Sequence, residues 1–127
     1  MAKKIVAMMN DSELAVADYY LDGDYNYYKH GNMPAFYNSL DCLLVTSETE
    51  AHPLVVYEAM ACEIPAVVTN VGDVSEFIID GNNGFILPIN ASPSEFVRVI
   101  TKLKNEEFRK QIGGEARKTI LKMLTWE

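Results

Sequence analysis

Two uninterrupted apolar runs, DCLLVT at 41–46 and AVVT at 66–69, bracket a segment that opens at Pro53 and reads as a helix to about residue 62. A strand with no polar alternation has no face to give to water. It is typically covered on both sides, as in a parallel sheet flanked by helices. Parallel neighbours need a crossover between them, and the 53–62 helix supplies one. This β-α-β unit commits the chain to the α/β class.

The remaining elements extend the same alternation. Residues 4–9, KIVAMM, read as a first short strand, and Asn10, Asp11 or Ser12 can cap a helix over 13–21. DGD at 22–24 is a turn, and the aromatic stretch 25–29 suits a second strand. Gly31 and Asn32 end it, and Pro34 suits the first turn of a short helix reaching about Leu40. After the 66–69 strand, 74–79 is short helical or irregular, GNNG at 81–84 is a turn and 85–87 is a last strand. Ser92, Pro93 and Glu95 spell a capping box with proline at the first helical position. The helix it starts carries Phe96, Val99, Ile100 and Leu103 on one stripe. Gly113 and Gly114 are expected to interrupt the next helical stretch, which resumes to about Leu124.

Five such strands give a Rossmann-like three-layer α/β/α sheet, most simply in the order 2-1-3-4-5. The 127 residues suffice for one domain, 1–127, with tail helices over about 92–127. Ligands bind such sheets at the carboxyl ends of the strands. That rule selects the loops at 10–12, 29–32, 47–53 and 70–73, with Pro88.

Composition removes some partners. A net charge of -7 argues against nucleic acid, which needs clustered Lys and Arg. It also disfavours a polybasic membrane surface, although 102–122 is locally richer in Lys and Arg. No run approaches the ~18 apolar residues of a membrane span, and MAKK precedes too short an apolar stretch for a secretory signal. No integral membrane segment and a cytoplasmic location are expected. Cys42 and Cys62 sit in apolar runs and read as buried free thiols without metal spacing.

Glu50, in one of the selected loops, and Glu58 have seven residues between them, one just before the 53–62 helix and one inside it. A helix start offers unpaired N–H groups and the positive end of the macrodipole, a site for phosphate. At about 1.5 Å per residue, Glu58 lies under ~10 Å along the axis from that start. Carboxylates accept hydrogen bonds in pairs, and vicinal sugar hydroxyls donate in pairs. A polyhydroxylated ligand carrying a phosphate fits both. On spacing alone the simpler reading is a solvated loop charge and an exposed helix face. That reading is weaker for Glu58, because Leu54, Val55, Val56, Tyr57, Ala59 and Met60 leave little polar face around it.

The stretch 41–88 resembles the C-terminal donor-binding half of retaining glycosyltransferases of family 4, with the GT-B fold ("glycosyl transferases group 1"). The family pattern is matched by Asp41, Ser47, Glu50, the run Glu58-Ala59-Met60-Ala61, Pro65, Gly72, Glu76 and Asn83-Gly84-Phe85. The resemblance extends over about 33–127, taking in MPAFYNSL at 33–40 and the tail up to Trp126. It implies that Glu58 holds the ribose hydroxyls of a nucleotide-diphosphate sugar and that Glu50 contacts the transferred sugar as the catalytic residue. It implies further donor contacts from Ser47 and from the backbone of Ala51, His52, Pro53, Leu54 and Val55. Gly72 and Glu76 shape the far side of the pocket. No tightly bound metal and no cofactor beyond the donor substrate are implied.

The chain departs from that pattern in ways that bear on turnover. The acceptor domain of a GT-B enzyme is absent from these residues. So are the Gly-Arg and the following Lys that neutralise the leaving diphosphate, where each stabilising group is worth on the order of 10²–10³ in rate. Lys29 is the candidate substitute cation, with a solvated strand end as the simpler account. Ala51 and His52 replace the usual Gly-Phe, and Glu63 stands where Gly usually follows Ala-Cys. The chain is thus expected to bind a donor but to be incomplete as a transferase alone, with a separate acceptor-domain protein or a second copy as partner. The alternatives are a non-catalytic nucleotide-sugar-binding or interaction module, and half of a nucleotide-sugar epimerase. Base, sugar and acceptor are not encoded in these motifs.

Overall fold

A computed structural model describes residue 38, residues 40–46 and residues 54–125. The first two expected strands, the helix between them and the 47–53 loop lie outside these residues. Of the short helix expected to reach about Leu40, Asn38 is described and is helical.

Among the described residues, three parallel strands lie side by side in chain order: β1 (Leu43–Val45), β2 (Ala66–Thr69) and β3 (Phe85–Leu87). Leu44 pairs with Val67, and Val68 with Ile86. This is the neighbour sequence expected for the last three strands of the 2-1-3-4-5 order. β2 and β3 have the expected bounds, while β1 is shorter than the 41–46 run. Helix α1 (Leu54–Ala61) crosses from β1 to β2. A 3-10 helix (Val74–Glu76) occupies the start of the 74–79 segment, α2 (Pro93–Lys102) follows β3, and α3 (Glu106–Thr125) closes the described fold.

The apolar runs lacked alternation because both faces of the sheet are covered. Val45, Ala66 and Val68, with Leu43 and Ile86, meet Val56 and Met60 of α1 and Ala116 and Ile120 of α3. Val67, Phe85 and Leu87, with Cys42 and Leu44, meet Phe96 and Val99 of α2, Leu103 at its C-cap and Ile112 of α3. These two cores make three layers. The Phe96, Val99 and Leu103 stripe is buried as the spacing required, with Ile100 at its margin. Each such side chain contributes roughly 2 kcal/mol of burial. Ser92 caps α2 in extended conformation, Pro93 opens it, and the Ser92 N–H donates to Glu95 Oε2 at 2.8 Å.

The end of α1 is a Schellman motif. The Ile64 N–H donates to the Ala59 carbonyl at 2.9 Å and the Glu63 N–H to the Met60 carbonyl at 3.1 Å. Ile64 and Ala59 pack together beneath it. Glu63 therefore takes the left-handed position, with φ +63. The Arg117 guanidinium donates to the Ala61 carbonyl, satisfying another group at this helix end.

One expectation is corrected here: Gly113 and Gly114 do not interrupt a helix but lie inside the continuous α3. Gly113 is there for contact. A Cβ on it would stand 2.1 Å from the Glu63 carbonyl oxygen, so only glycine lets the helix lie on this turn. The local helix penalty of glycine, about 1 kcal/mol, is outweighed by the tertiary approach. The cysteines are corrected in degree: Cys42 and Cys62 are free thiols but half-buried.

Candidate functional site

In a parallel sheet every strand leaves at one edge, and α1 starts from that edge after β1. Its first turn exposes Leu54 and Val55, and Glu58 one turn on is also exposed. Val56, Ala59 and Met60 face inward, so the heptad-like spacing leaves Glu58 on the open side. Glu58 and Cys62 are one turn apart. Burial pushes the Cys62 thiol up, Arg117 opposes the shift and Glu58 adds to it.

β2 leaves the same edge into a tight turn. The Asn70 N–H donates to the Leu87 carbonyl at 2.9 Å and the Val71 N–H to the Thr69 carbonyl at 2.8 Å. Gly72 follows with φ +55, which glycine takes at no steric cost, and it is exposed. Asp73 precedes the 3-10 helix, whose Val74 is buried and whose Glu76 is exposed.

Tyr57 joins these two elements. Its hydroxyl donates to Asp73 Oδ2 at 2.9 Å, and its ring stacks on Phe77 with centroids 4.5 Å apart. Burial pushes its pKa up to about 12, aided by the hydrogen bond to Asp73 and by the charges of Asp73 and Glu76. Tyr57 is thus a neutral hydrogen-bond donor at physiological pH.

Of the residues expected at the site, the structure brings Gly72 and Glu76 to the carboxyl edge beside Tyr57 and places Glu58 on the open side of α1. Leu54 and Val55 form the start of α1. Ser47, Glu50, Ala51, His52, Pro53 and Lys29 lie outside the described residues. Tyr57 and Asp73 were missed by the sequence reasoning. The signal for Tyr57 was present, because it is the one other polar-tipped side chain in the apolar α1. Segments 54–58 and 70–77 contain three carboxylates and no Lys, Arg or His. They can accept hydrogen bonds from hydroxyls, while charge compensation for a diphosphate has to come from a helix start or from residues outside these segments.

A parallel three-layer sheet of this kind is the Rossmann-like half of a GT-B fold. It superimposes on the crystal structure of the C-terminal domain of a glycosyl transferase group 1 family protein from Francisella tularensis. The TM-score is 0.70 at 22% identity, over 80% of this chain and 53% of that one. The Glycosyl transferases group 1 model matches residues 24–119, and the chain belongs to that family. An uncharacterized glycosyltransferase of Methanocaldococcus jannaschii is 34% identical over 93 residues, 73% of this chain and 26% of that protein. The N-acetyl-alpha-D-glucosaminyl L-malate synthase of Bacillus anthracis is 33% identical over 92 residues, 72% of this chain and 24% of that protein. The chain spans about a quarter of the length of these curated relatives. No described helix is long and apolar enough to cross a membrane.

Proposed function

We propose that this chain is the donor-binding half of a retaining, family 4 glycosyltransferase and holds a nucleotide-diphosphate sugar at the carboxyl edge of its sheet. The observation that carries this reading is Glu58. It is a carboxylate exposed on an otherwise apolar helix, one turn from the helix start, with Gly72 and Glu76 on the neighbouring turn. Glu58 accepts from the ribose hydroxyls, and backbone N–H groups of residues 51, 52, 54 and 55 hold sugar and pyrophosphate. Ser47 adds a donor contact, and Glu50 contacts the transferred sugar. Lys29 and His52 are the candidates for diphosphate compensation. No metal takes part, so chelation with EDTA leaves binding unchanged. The reaction is cytoplasmic, and a second domain, on another chain or elsewhere in a longer one, binds the acceptor.

The lack of Lys, Arg and His in 54–58 and 70–77 favours one second reading, a module that binds donor without turnover. Turnover separates the two: sugar release from a donor that Glu50→Ala abolishes rules out the non-catalytic module.

Calorimetry with UDP-, GDP- and ADP-sugars tests the site. At least one binds, and Glu58→Ala weakens it by tenfold or more, since a hydrogen bond to a charged group is worth about 1.5–3 kcal/mol. The melting temperature stays unchanged, because the side chain is exposed. No binding by any donor, or binding indifferent to Glu58→Ala, rejects the proposal.

A further inference from the structure

Tyr57 and Asp73 lie outside the family pattern given above, yet they join the two walls of the carboxyl edge. Tyr57 immediately precedes Glu58 on α1, and Asp73 immediately follows Gly72 in the turn after β2. They meet across sixteen positions of sequence at 2.9 Å. The ring of Tyr57 also stacks on Phe77, at 4.5 Å and 24°. One contact at the ring and one at the hydroxyl fix the turn in rotation as well as in distance from α1. Val74 and Phe77 anchor the far side of the turn in the core they share with α1. The near side is more permissive, because Gly72 at φ +55 can reach many other backbone conformations.

We infer that Tyr57 and Asp73 are positioning residues, holding the 72–73 turn against α1 so that it and Glu58 present one preformed geometry to the ligand. The inference rests on the donor-site reading. A ligand lying between α1 and the turn binds a preorganised pair of walls. Without the bond, binding has to order the turn, and that ordering is subtracted from affinity.

The test is a double-mutant cycle read by calorimetry on the full chain, using whichever of the UDP-, GDP- or ADP-sugars binds the unmodified protein most tightly. Tyr57→Phe keeps the stacked ring and removes the hydroxyl; it is expected to weaken binding about tenfold. Asp73→Ala is expected to lose the same amount, and the double variant no more than either single change. Asp73→Asn keeps an acceptor oxygen for the tyrosine and is expected to stay within about threefold of the unmodified protein. Ile112→Val, in the core on the other side of the sheet, lowers the melting temperature and leaves affinity unchanged. Should Asp73→Ala fail to fold, Tyr57→Phe with Asp73→Asn still decides the matter. Normal binding by Tyr57→Phe overturns the inference. So do additive losses in the double variant, a loss in Asp73→Asn as large as in Asp73→Ala, or a loss of affinity in Ile112→Val that tracks its melting temperature. If the unmodified chain binds none of the donors, the donor-site reading fails and takes the inference with it. If it binds and Tyr57→Phe binds equally, the inference alone fails.

Discussion

The two edges of the sheet are built differently. At the amino edge, where β2 and β3 begin, the chain is locked by contacts made largely onto main-chain groups. The Schellman turn ends in Glu63, Gly113 of α3 lies on that carbonyl, and Arg117 reaches the Ala61 carbonyl. Asn83, just before β3, is buried and fully engaged. It accepts from the Ile79 N–H at 2.7 Å and donates to the Phe77 carbonyl at 3.0 Å and to Thr119 Oγ1 at 2.9 Å. At the carboxyl edge the notable residues are exposed or half-buried: Glu58, Gly72, Asp73 and Glu76. The amino edge has its groups engaged within the fold, whereas the carboxyl edge turns the carboxylates of Glu58 and Glu76 toward solvent. The contrast separates what keeps the domain folded from what is available to a ligand.

The sharpest way to break this contrast is Gly113→Ala. The added Cβ meets backbone on Glu63 that has no room to move, so a loss of about 3 kcal/mol is expected in urea unfolding despite alanine's better helix propensity. A gain in stability would show that α3 does not lie on the turn. Asn83→Ala comes next, at roughly 2 kcal/mol, because it strands the Phe77 carbonyl and the Ile79 N–H. Asn83→Asp should fare no better, since it loses both donated bonds.

Two substitutions should go the other way. Glu63→Gly relieves a left-handed residue and is expected to add about 1 kcal/mol, with thermal melts as the check. Gly114→Ala, one position from the forbidden one, meets nothing within 4 Å and is expected to add between about 0.5 and 1 kcal/mol. Opposite signs at adjacent glycines would tie the effect to contact and not to the helix.

The pH-dependent effect belongs to the carboxyl edge. The folded-state pKa of Tyr57 is raised from 10.0 to about 12, so the neutral form is favoured by folding. The resulting stability is fully present below pH 10 and is lost as pH rises from 10 toward 12. Melts across that window should show a loss that Tyr57→Phe reduces. Persistence of the whole loss in Tyr57→Phe would assign it to Cys42, whose thiol burial pushes up to about 11.

The carboxyl edge was the more legible from sequence. Continuous apolar runs announced a sheet covered on both faces, proline and a capping pair announced the start of α2, and Glu58 stood out as a carboxylate in an apolar helix. These are local signals with local causes. The amino edge was misread where cause and residue are far apart. Gly113 looked like a helix breaker, because its penalty is written locally and its reason sits fifty positions earlier at Glu63. Asn83 looked like an ordinary turn residue, because Thr119 is thirty-six positions away. The Tyr57–Asp73 bond was invisible for the same reason. Ser47, singled out by resemblance, Glu50, by spacing and resemblance, and Lys29, as a substitute cation, lie outside the described residues.

The course of α3 has a consequence for how the domain comes apart. Its first half, through Phe108 and Ile112, packs in the α2-side core, and its second half, through Ala116 and Ile120, packs in the α1-side core. One helix thus fastens both layers, so neither can open while the other keeps its seal. Amide hydrogens on β2, shared by the two cores, are therefore expected to exchange in a single global event that requires the whole of α3 to detach.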